Sequence, residues 1–237
     1  MGIITCNLYL CARVAQVVAQ AGYDVLAIEN KEEALDIGIK RVDDSLKKVI
    51  TRELKSGKLK SEEDGRAKHD EVMSRIKTTT LISDAKDCDL IIEAIAEIES
   101  LKIDFYQKLG PLIKPNAIFA SNTSSLQITS MALASGRPDR FVGLHFFNPV
   151  QIMKLVEVIK TVHTDKVIFD SVTAFGKSIG KVTVSCNDTP GFIVNRLLVP
   201  YIAQGMLMYD RGDATIADID ISMQLGAAHP MVTTSEI

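Results

Sequence analysis

The chain has 237 residues; 46% of them are hydrophobic, 24% are charged, and the formal net charge is −3. This composition is typical of a globular protein with one large domain, or one domain and a smaller companion. The acidic balance excludes the usual nucleic-acid binder, whose surface is basic. The cysteines lack the spacing of metal ligands, which indicates a reducing compartment (Cys6, Cys11, Cys88 and Cys186).

Strands that alternate with helices predict an open, doubly wound α/β sheet of the Rossmann-like kind, followed after residue 187 by an all-α piece. Asn30 and Glu33 resemble a capping box, and Ser61 is expected to start a helix with Val72 and Ile76 on its apolar side. The predicted strands are 3–5, 24–29, 90–95, 117–120, the runs around 145 and 157, and 181–185, and the predicted helices are 13–21, 30–57, 61–76, 98–112, 125–135, 165–179, 192–209 and 215–225.

No apolar run is long enough to span a bilayer, and the first residues show no clear leader pattern. An intracellular protein is expected, with room for a cleaved organelle leader that this numbering omits.

Two apolar runs carry one chemically active side chain each. Residues 143–149 (Gly-Leu-His-Phe-Phe-Asn-Pro) contain His145, and residues 153–159 (Met-Lys-Leu-Val-Glu-Val-Ile) contain Glu157. Because Asn148-Pro149 breaks the chain between them, the runs can fold back on each other. An imidazole held by a carboxylate in an apolar site is a ready general base. A core histidine satisfied by a nearby acceptor explains the spacing equally well.

Residues 119–129 (Phe-Ala-Ser-Asn-Thr-Ser-Ser-Leu-Gln-Ile-Thr), the two runs above and residues 188–196 (Asp-Thr-Pro-Gly-Phe-Ile-Val-Asn-Arg) together resemble the L-3-hydroxyacyl-CoA dehydrogenase family of fatty-acid β-oxidation. The similarity extends from about residue 14 to about residue 231. It implies an NAD-binding Rossmann-like domain at 1–187 and a partial helical domain for substrate and dimer contacts at 188–237.

The resemblance implies that His145 removes the proton of the substrate hydroxyl and that Glu157 orients the imidazole. Ser124 and Asn195 match residues that position the reacting oxygen. On sequence alone, Ser124 lies in a turn that commonly bonds its own backbone. An amide that joins the two domains explains Asn195 as well.

The implied cofactor is NAD. An acid at the end of the second strand, Glu29, can accept hydrogen bonds from the adenine ribose, although an acid at a helix start explains it almost as well. Glu97, Lys102, Ser124 and Asn148 match family positions that contact or border the cofactor. Without the resemblance, Glu97 and Lys102 are a solvated helix start and Asn148 a turn residue.

The implied substrate is an acyl-CoA. Ser45 and Arg52 are two turns apart on one helix face and match positions that hold the CoA moiety, while Ser124 contacts the reacting end. Lys47 and Lys48 add positive charge, and without the resemblance this face is simply solvated. The remaining histidines, His69, His163 and His229, are expected to be exposed.

The resemblance fails at both ends. The stretch from Cys6 to Arg13 contains no glycine where the family has G-x-G-x-x-G, whose backbone approaches the pyrophosphate. Cofactor affinity is therefore expected to fall by several kcal/mol if two or more close contacts are lost, on the order of 1–3 kcal/mol each. Residues 232–237 do not resemble the family's continuation, so we expect a truncated helical domain with exposed apolar faces and no normal homodimer.

The sequence therefore predicts an NAD-dependent 3-hydroxyacyl-CoA dehydrogenase by descent, in the mitochondrial matrix by resemblance or otherwise in the cytoplasm. Two alternatives stay open. One is a non-catalytic or weakly active relative that keeps the fold without a working pyrophosphate loop. The other is an NAD-linked sugar-acid dehydrogenase of related fold, which would act without a CoA thioester.

Overall fold

The computed structural model describes residues 10–229. Its helices are α1 (Leu10–Gln20), α2 (Glu32–Lys55), α3 (Glu62–Ser74), α4 (Glu99–Leu109), α5 (Ile128–Ala134), α6 (Lys166–Ser178), α7 (Val194–Asp210) and α8 (Ile216–Ala227). Its strands are β1 (Val25–Ile28), β2 (Ile76–Thr79), β3 (Leu90–Glu93), β4 (Ile118–Ser121), β5 (Phe141–Phe146), β6 (Leu155–Lys160) and β7 (Val182–Asn187). The predicted strand at 3–5 lies outside the described residues.

Five strands form one sheet in the order β3-β4-β5-β6-β7, and β1 pairs with β2. All neighbouring strands are parallel except β5 and β6, which are antiparallel. Every residue of β3 and of β5 is buried, as expected for strands covered on both faces. This largely parallel sheet with intervening helices is the Rossmann-like architecture that the sequence predicts.

The alternation of side chains along a strand decides which face of the sheet carries the polar residues. On one face, residues such as Leu144 of β5 join the main hydrophobic core with α1, α2 and α6. On the other face, Phe141 packs edge-on against Tyr106 of α4, with ring centroids 4.6 Å apart. His145 and Glu157 alternate with residues of the first face, so both lie on the second.

One predicted helix is too long, and a strand was missed there. The α3 helix begins as predicted, with Ser61 Oγ accepting a hydrogen bond from the backbone N–H of Asp64, but it ends at Ser74. Ile76 instead begins β2, which lies parallel to β1. Three of the four residues of the strand Ile-Lys-Thr-Thr are polar and none is fully buried, so it lacks the apolar run by which the other strands were recognised.

The predicted capping box of α2 is also wrong. The N-cap residue is Lys31, and its side chain makes no capping hydrogen bond. Asn30 lies one residue earlier, where its backbone N–H donates to the carboxylate of Glu29 at 2.8 Å. On the apolar side of the helix, Val42 and Leu46 are buried.

The chain divides into two compact units after Thr189, two residues beyond the predicted boundary. The second unit contains α7 and α8, and Thr215 caps α8 by accepting a hydrogen bond from the backbone N–H of Asp218. No helix among residues 10–229 is both long and apolar enough to cross a membrane. As predicted, both helices expose large apolar side chains, among them Leu197, Val199, Met206, Leu207, Ile221 and Leu225.

Candidate active site

The β5–β6 hairpin brings His145 and Glu157 together. The two residues are direct partners in the antiparallel register, and Nδ1 of His145 lies 2.8 Å from Oε2 of Glu157. Both side chains are buried. An ionised carboxylate only accepts hydrogen bonds, so this contact places a proton on Nδ1 and makes Nε2 the basic nitrogen of the neutral ring. The predicted hydrogen bond between the two side chains is confirmed.

Compact neighbours enclose this pair. A Cβ atom on Gly143 would lie 2.9 Å from Cδ1 of Ile128, so a glycine at this point lets α5 approach the sheet. The ring of Phe147 lies 4.5 Å from the imidazole, centroid to centroid.

Burial raises the pKa of the Cys186 thiol to about 11, and the negative charge of Glu157 adds to the effect. The thiol therefore stays neutral beside the carboxylate.

Ser124 lies in the turn that follows β4. Glu97, in the loop between β3 and α4, accepts hydrogen bonds from this turn. Oε1 of Glu97 accepts hydrogen bonds from the hydroxyl of Thr123 and from the backbone N–H of Ser124, the latter at 2.8 Å. The turn also bonds itself, because Thr123 Oγ1 accepts from the backbone N–H of Leu126. The Ser124 residue remains exposed, as a ligand contact requires.

The pKa of Glu97 is lowered by its surroundings. Burial opposes its ionisation, but the hydrogen bonds from Thr123 and Ser124 and the nearby ammonium of Lys102 outweigh the burial. Glu97 is therefore an anion under neutral conditions, and it is more than a solvated residue at a helix start.

Lys102 is buried rather than solvated, with 1% of its side chain exposed. Its Nζ lies 2.5 Å from Oε1 of Glu93 and 3.4 Å from Oε2 of Glu97. Glu93 was not recognised from the sequence, although an acid at the end of an otherwise apolar strand (Leu-Ile-Ile-Glu) is an unusual pattern. It also accepts a hydrogen bond from the hydroxyl of Ser121, at 2.7 Å.

Asp188, whose role was also missed, anchors α5. Its carboxylate accepts hydrogen bonds from the backbone N–H groups of Ile128 and Thr129, both at 2.8 Å, and from the Thr129 hydroxyl at 2.6 Å. The N-cap residue of α5 is Gln127, which makes no side-chain cap of its own. A carboxylate from beyond β7 therefore fixes the helix that follows the Ser124 turn.

Asn148 and Glu29 follow β5 and β1, as predicted. Asn148 is exposed, and its Oδ1 accepts a hydrogen bond from Nη1 of Arg13 in α1 at 2.9 Å. Glu29 is half-buried and bonds the backbone N–H of Asn30, as an acid at a helix start does. Their contact with a cofactor stays a prediction.

The predicted CoA residues share one groove. Ser45 and Arg52 of α2 line it together with Arg41 and Lys48, and Arg13 of α1 lies on its other side. The groove therefore carries more positive charge than the sequence reading assigned to it. Phosphate groups are the ligands such a cluster favours.

His69 is not the exposed histidine that the sequence predicted. Its Nε2 lies 2.7 Å from Oδ1 of Asp43 on α2, and its Nδ1 lies 3.0 Å from Oδ1 of Asp70. The hydrogen bond to Asp70, and to a lesser extent the one to Asp43, raise the pKa of His69. The pattern within α3 alone could not show this contact, because it depends on how α3 packs on α2.

Other predictions are not resolved by the geometry. Asn195 lies in the first turn of α7, in the second unit, and its place beside the reacting oxygen stays a prediction. Of the segment that replaces the glycine loop, Cys6 to Tyr9 lie outside the described residues, and the rest is the first turn of α1. Residues 232–237 lie outside them as well.

Comparisons with known proteins identify the family of this chain. The sequence profile described as "3-hydroxyacyl-CoA dehydrogenase, NAD binding domain" matches residues 9–189, and that described as "3-hydroxyacyl-CoA dehydrogenase, C-terminal domain" matches residues 191–235. The chain belongs to the 3-hydroxyacyl-CoA dehydrogenase family. NAD is therefore the cofactor of its larger domain, and the sugar-acid alternative loses its support.

Individual relatives agree. The chain is 47% identical to human "Hydroxyacyl-coenzyme A dehydrogenase, mitochondrial" over 221 residues, which are 93% of this chain and 69% of that protein. It is 43% identical to a "Probable 3-hydroxybutyryl-CoA dehydrogenase" of Deinococcus radiodurans, over 92% of this chain and 75% of that protein. The crystal structure of (S)-3-hydroxybutyryl-CoA dehydrogenase from Ralstonia eutropha superposes with a TM-score of 0.89 at 34% identity, covering 98% of this chain and 79% of that one.

Proposed function

We propose that this chain oxidises L-3-hydroxyacyl-CoA to 3-oxoacyl-CoA with NAD as a step of fatty-acid β-oxidation. The observation that carries the proposal is the buried hydrogen bond between His145 and Glu157, at 2.8 Å. A histidine that serves only packing needs no more than a neutral hydrogen-bond acceptor. A buried carboxylate is unfavourable, and its presence is explained if it stabilises the imidazolium of a catalytic base.

In this proposal His145 accepts the proton of the substrate 3-hydroxyl at Nε2. Glu157 keeps the imidazole in the tautomer that makes this possible and stabilises the imidazolium that forms. Ser124 donates a hydrogen bond to the reacting oxygen, and the resemblance assigns the same role to Asn195. Because His145 and Glu157 are buried, the interaction between them is stronger than it would be in water.

The residues at the carboxyl ends of β3, β4 and β5 fit the nicotinamide end of NAD. Glu97, Ser124 and Asn148 are exposed polar residues at these ends, where ligands of open α/β sheets bind. Lys102 supports Glu97 from beneath, and Glu29 is assigned to the adenine ribose. When bound, NAD accepts the hydride that leaves C3 of the substrate.

The other end of the substrate is assigned to the groove on α2. Ser45 and Arg52 would hold the phosphates of CoA, and Arg13, Arg41 and Lys48 add positive charge to the same groove. The reacting carbon would then lie towards Ser124 and His145.

A second candidate, a relative with little or no activity, is favoured by the segment from Cys6 to Arg13. Without glycine, the pyrophosphate loses the close backbone contacts that this motif provides. We therefore propose an activity far below that of an intact family member, with the loss mainly in apparent NADH affinity.

The deciding experiment follows NADH oxidation by the purified chain with acetoacetyl-CoA, beside equilibrium NADH binding by fluorescence. A variant with glycine at Cys6, Leu8 and Cys11 should recover part of the affinity. Activity that survives in the His145→Gln variant would contradict the catalytic proposal. NADH binding at micromolar concentration by the unmodified chain would contradict our account of the loop.

The location is proposed from relatives, and the assembly is proposed from exposed apolar side chains. The human relative is named mitochondrial, so we assign the chain to the mitochondrial matrix, or in a bacterial setting to the cytoplasm. The apolar side chains exposed on α7 and α8 favour self-association over a stable monomer. A sharp monomer peak in size-exclusion chromatography at moderate concentration would contradict this.

A further inference from the structure

Glu93 is a fully buried carboxylate that ends β3, and its hydrogen bonds connect three segments. Oε1 accepts from the backbone N–H of Ile95 at 2.7 Å and from Nζ of Lys102 at 2.5 Å. Oε2 accepts from the hydroxyl of Ser121 at 2.7 Å and from the hydroxyl of Tyr106 at 3.3 Å. One side chain therefore joins the loop after β3, the helix α4 and the end of β4.

The strand does not require an acid at this position. The other residues of β3 are Leu90, Ile91 and Ile92, all buried, and a fourth apolar residue would continue the same pattern. A buried carboxylate is unfavourable unless it is paired and hydrogen-bonded, and replacing such a pair by apolar residues is often neutral or stabilising. Stability of the sheet is thus a weak explanation for Glu93.

Lys102 connects Glu93 to the loop between β3 and α4. The ammonium has three N–H donors, and three acceptors surround it: Glu93, the backbone carbonyl of Ile95 at 3.2 Å, and Glu97 at 3.4 Å. Its side chain is 1% exposed. Lys102 therefore connects Glu93 to Glu97.

Glu97 in turn holds the turn that contains Ser124. It accepts hydrogen bonds from the backbone N–H groups of Ser124 and Ser125, at 2.8 and 3.3 Å. A second route leads from Glu93 through Ser121, whose Oγ also accepts from the backbone N–H of Thr123 at 3.3 Å. Both routes end at the turn that contains Thr123, Ser124 and Ser125.

We infer that Glu93 is a positioning residue that, through Lys102 and Ser121, fixes the Ser124 turn and Glu97 where the nicotinamide and the reacting oxygen meet. The functional half of this inference rests on the proposed function. Glu93 touches neither substrate nor cofactor, and its effect is transmitted by the buried ion pair and the hydrogen bonds of the turn.

The test uses Glu93→Gln, Lys102→Met, the double variant, and Asp89→Asn as the matched control. Asp89 directly precedes β3 and pairs with Lys114, so its substitution removes a carboxylate at the opposite end of this strand, away from the turn. Thermal unfolding, hydrogen exchange of the Ser124 and Ser125 amides in the cofactor-free chain, and steady-state kinetics are measured for each.

We expect Glu93→Gln to lower the protection of the Ser124 amide about tenfold beyond any change in the β6 amides. The double variant should regain thermal stability, because neither buried charge is left without its partner. Its Ser124 amide should nevertheless keep the same lowered protection. In both variants kcat with acetoacetyl-CoA should fall about tenfold, with KM for acetoacetyl-CoA unchanged.

The inference is overturned if the double variant keeps parental exchange at Ser124 and parental kcat, because Glu93 and Lys102 are then only a structural pair. If the parent chain has no measurable activity, the proposed function fails. The exchange measurement still decides whether Glu93 positions the turn.

Discussion

The sheet edge from β3 to β6 and the polar face of α2 both supply side chains to the candidate site, but they hold them differently. At the sheet edge, Glu93 and Glu157 are fully buried and each is bonded to a specific partner. On α2, Lys48 and Arg52 are exposed, and neighbouring acids such as Asp44 share the face. Geometry is fixed in the first region, and mainly charge is provided in the second.

This difference predicts where substitutions are costly. Removing one member of a buried charged pair leaves the other desolvated without a partner, which costs about 3–5 kcal/mol in comparable cases. Removing one exposed charge changes binding by at most about 1 kcal/mol, because water screens the interaction. The four predictions below test this contrast, from the largest expected effect to the smallest.

The largest effect is expected for Glu157→Gln. Glutamine can present its NH2 group to Nδ1, so the imidazole is no longer held in the tautomer with a basic Nε2. We expect kcat with acetoacetyl-CoA and NADH to fall about 10²–10⁴-fold, the usual contribution of general acid–base catalysis. NADH binding should change by less than about twofold.

The control is His163→Gln in the exposed loop after β6, which should keep parental kcat. A Glu157→Gln variant that loses stability but keeps kcat would show that the pair is only a satisfied core histidine. That outcome would also remove the contrast between the two regions.

The second effect concerns the anchor of α5. Asp188→Asn weakens three hydrogen bonds to the start of this helix, so we expect the free energy of unfolding to fall by about 1–3 kcal/mol. Asp165→Asn is the matched control, since Asp165 caps α6 by a single bond to the backbone N–H of Val167. Urea unfolding should show a smaller loss there, about 0.5–1 kcal/mol. Equal losses would mean that the three bonds of Asp188 act as an ordinary cap.

The sequence predicted those parts of the molecule that local pattern determines. Apolar runs revealed β3, β5 and β6, and the Asn148-Pro149 break revealed that β5 and β6 fold back on each other. The predicted pairing of His145 with Glu157 then required only that the two runs be neighbours in register. The mostly polar β2 was missed because its four residues have no such pattern.

The residues that support the site could not be predicted, because their partners are distant in sequence. Glu93 and Ser121 are 28 residues apart, and Asp188 and Ile128 are 60 apart. Lys102 was singled out by resemblance, but its burial follows from how α4 packs on the sheet. A single sequence shows which residues are unusual without showing what they contact.

The third prediction tests α2 with substrates of different length. Arg52→Ala should raise KM for acetoacetyl-CoA by about 2–6-fold with kcat unchanged, because one exposed charge near a phosphate contributes up to about 1 kcal/mol. Acetoacetyl-pantetheine, which lacks the phosphates of CoA, provides the control. Arg52→Ala should leave its KM unchanged. Equal increases for both substrates would remove α2 from the CoA site.

The smallest effect is expected for His69, which connects α3 to α2. Hydrogen bonds to Asp70 and Asp43 raise its pKa in the folded chain, while Lys47 pairs with Asp43 from the other side. A raised folded pKa means that the contribution to stability is complete below the unfolded value of about 6.5 and disappears as the pH rises through the folded value. His69→Gln should therefore reduce the free energy of unfolding by less than about 1 kcal/mol at about pH 5.5, and by almost nothing at about pH 9.

In an Asp43→Asn background the pH dependence of this difference should shrink, because the partner on α2 no longer carries a charge. Urea unfolding at the two pH values measures all four chains. A loss at about pH 9 as large as that at about pH 5.5 would show that the imidazole contributes by packing. The α2 helix would then hold its side chains by buried contacts, as the sheet edge does.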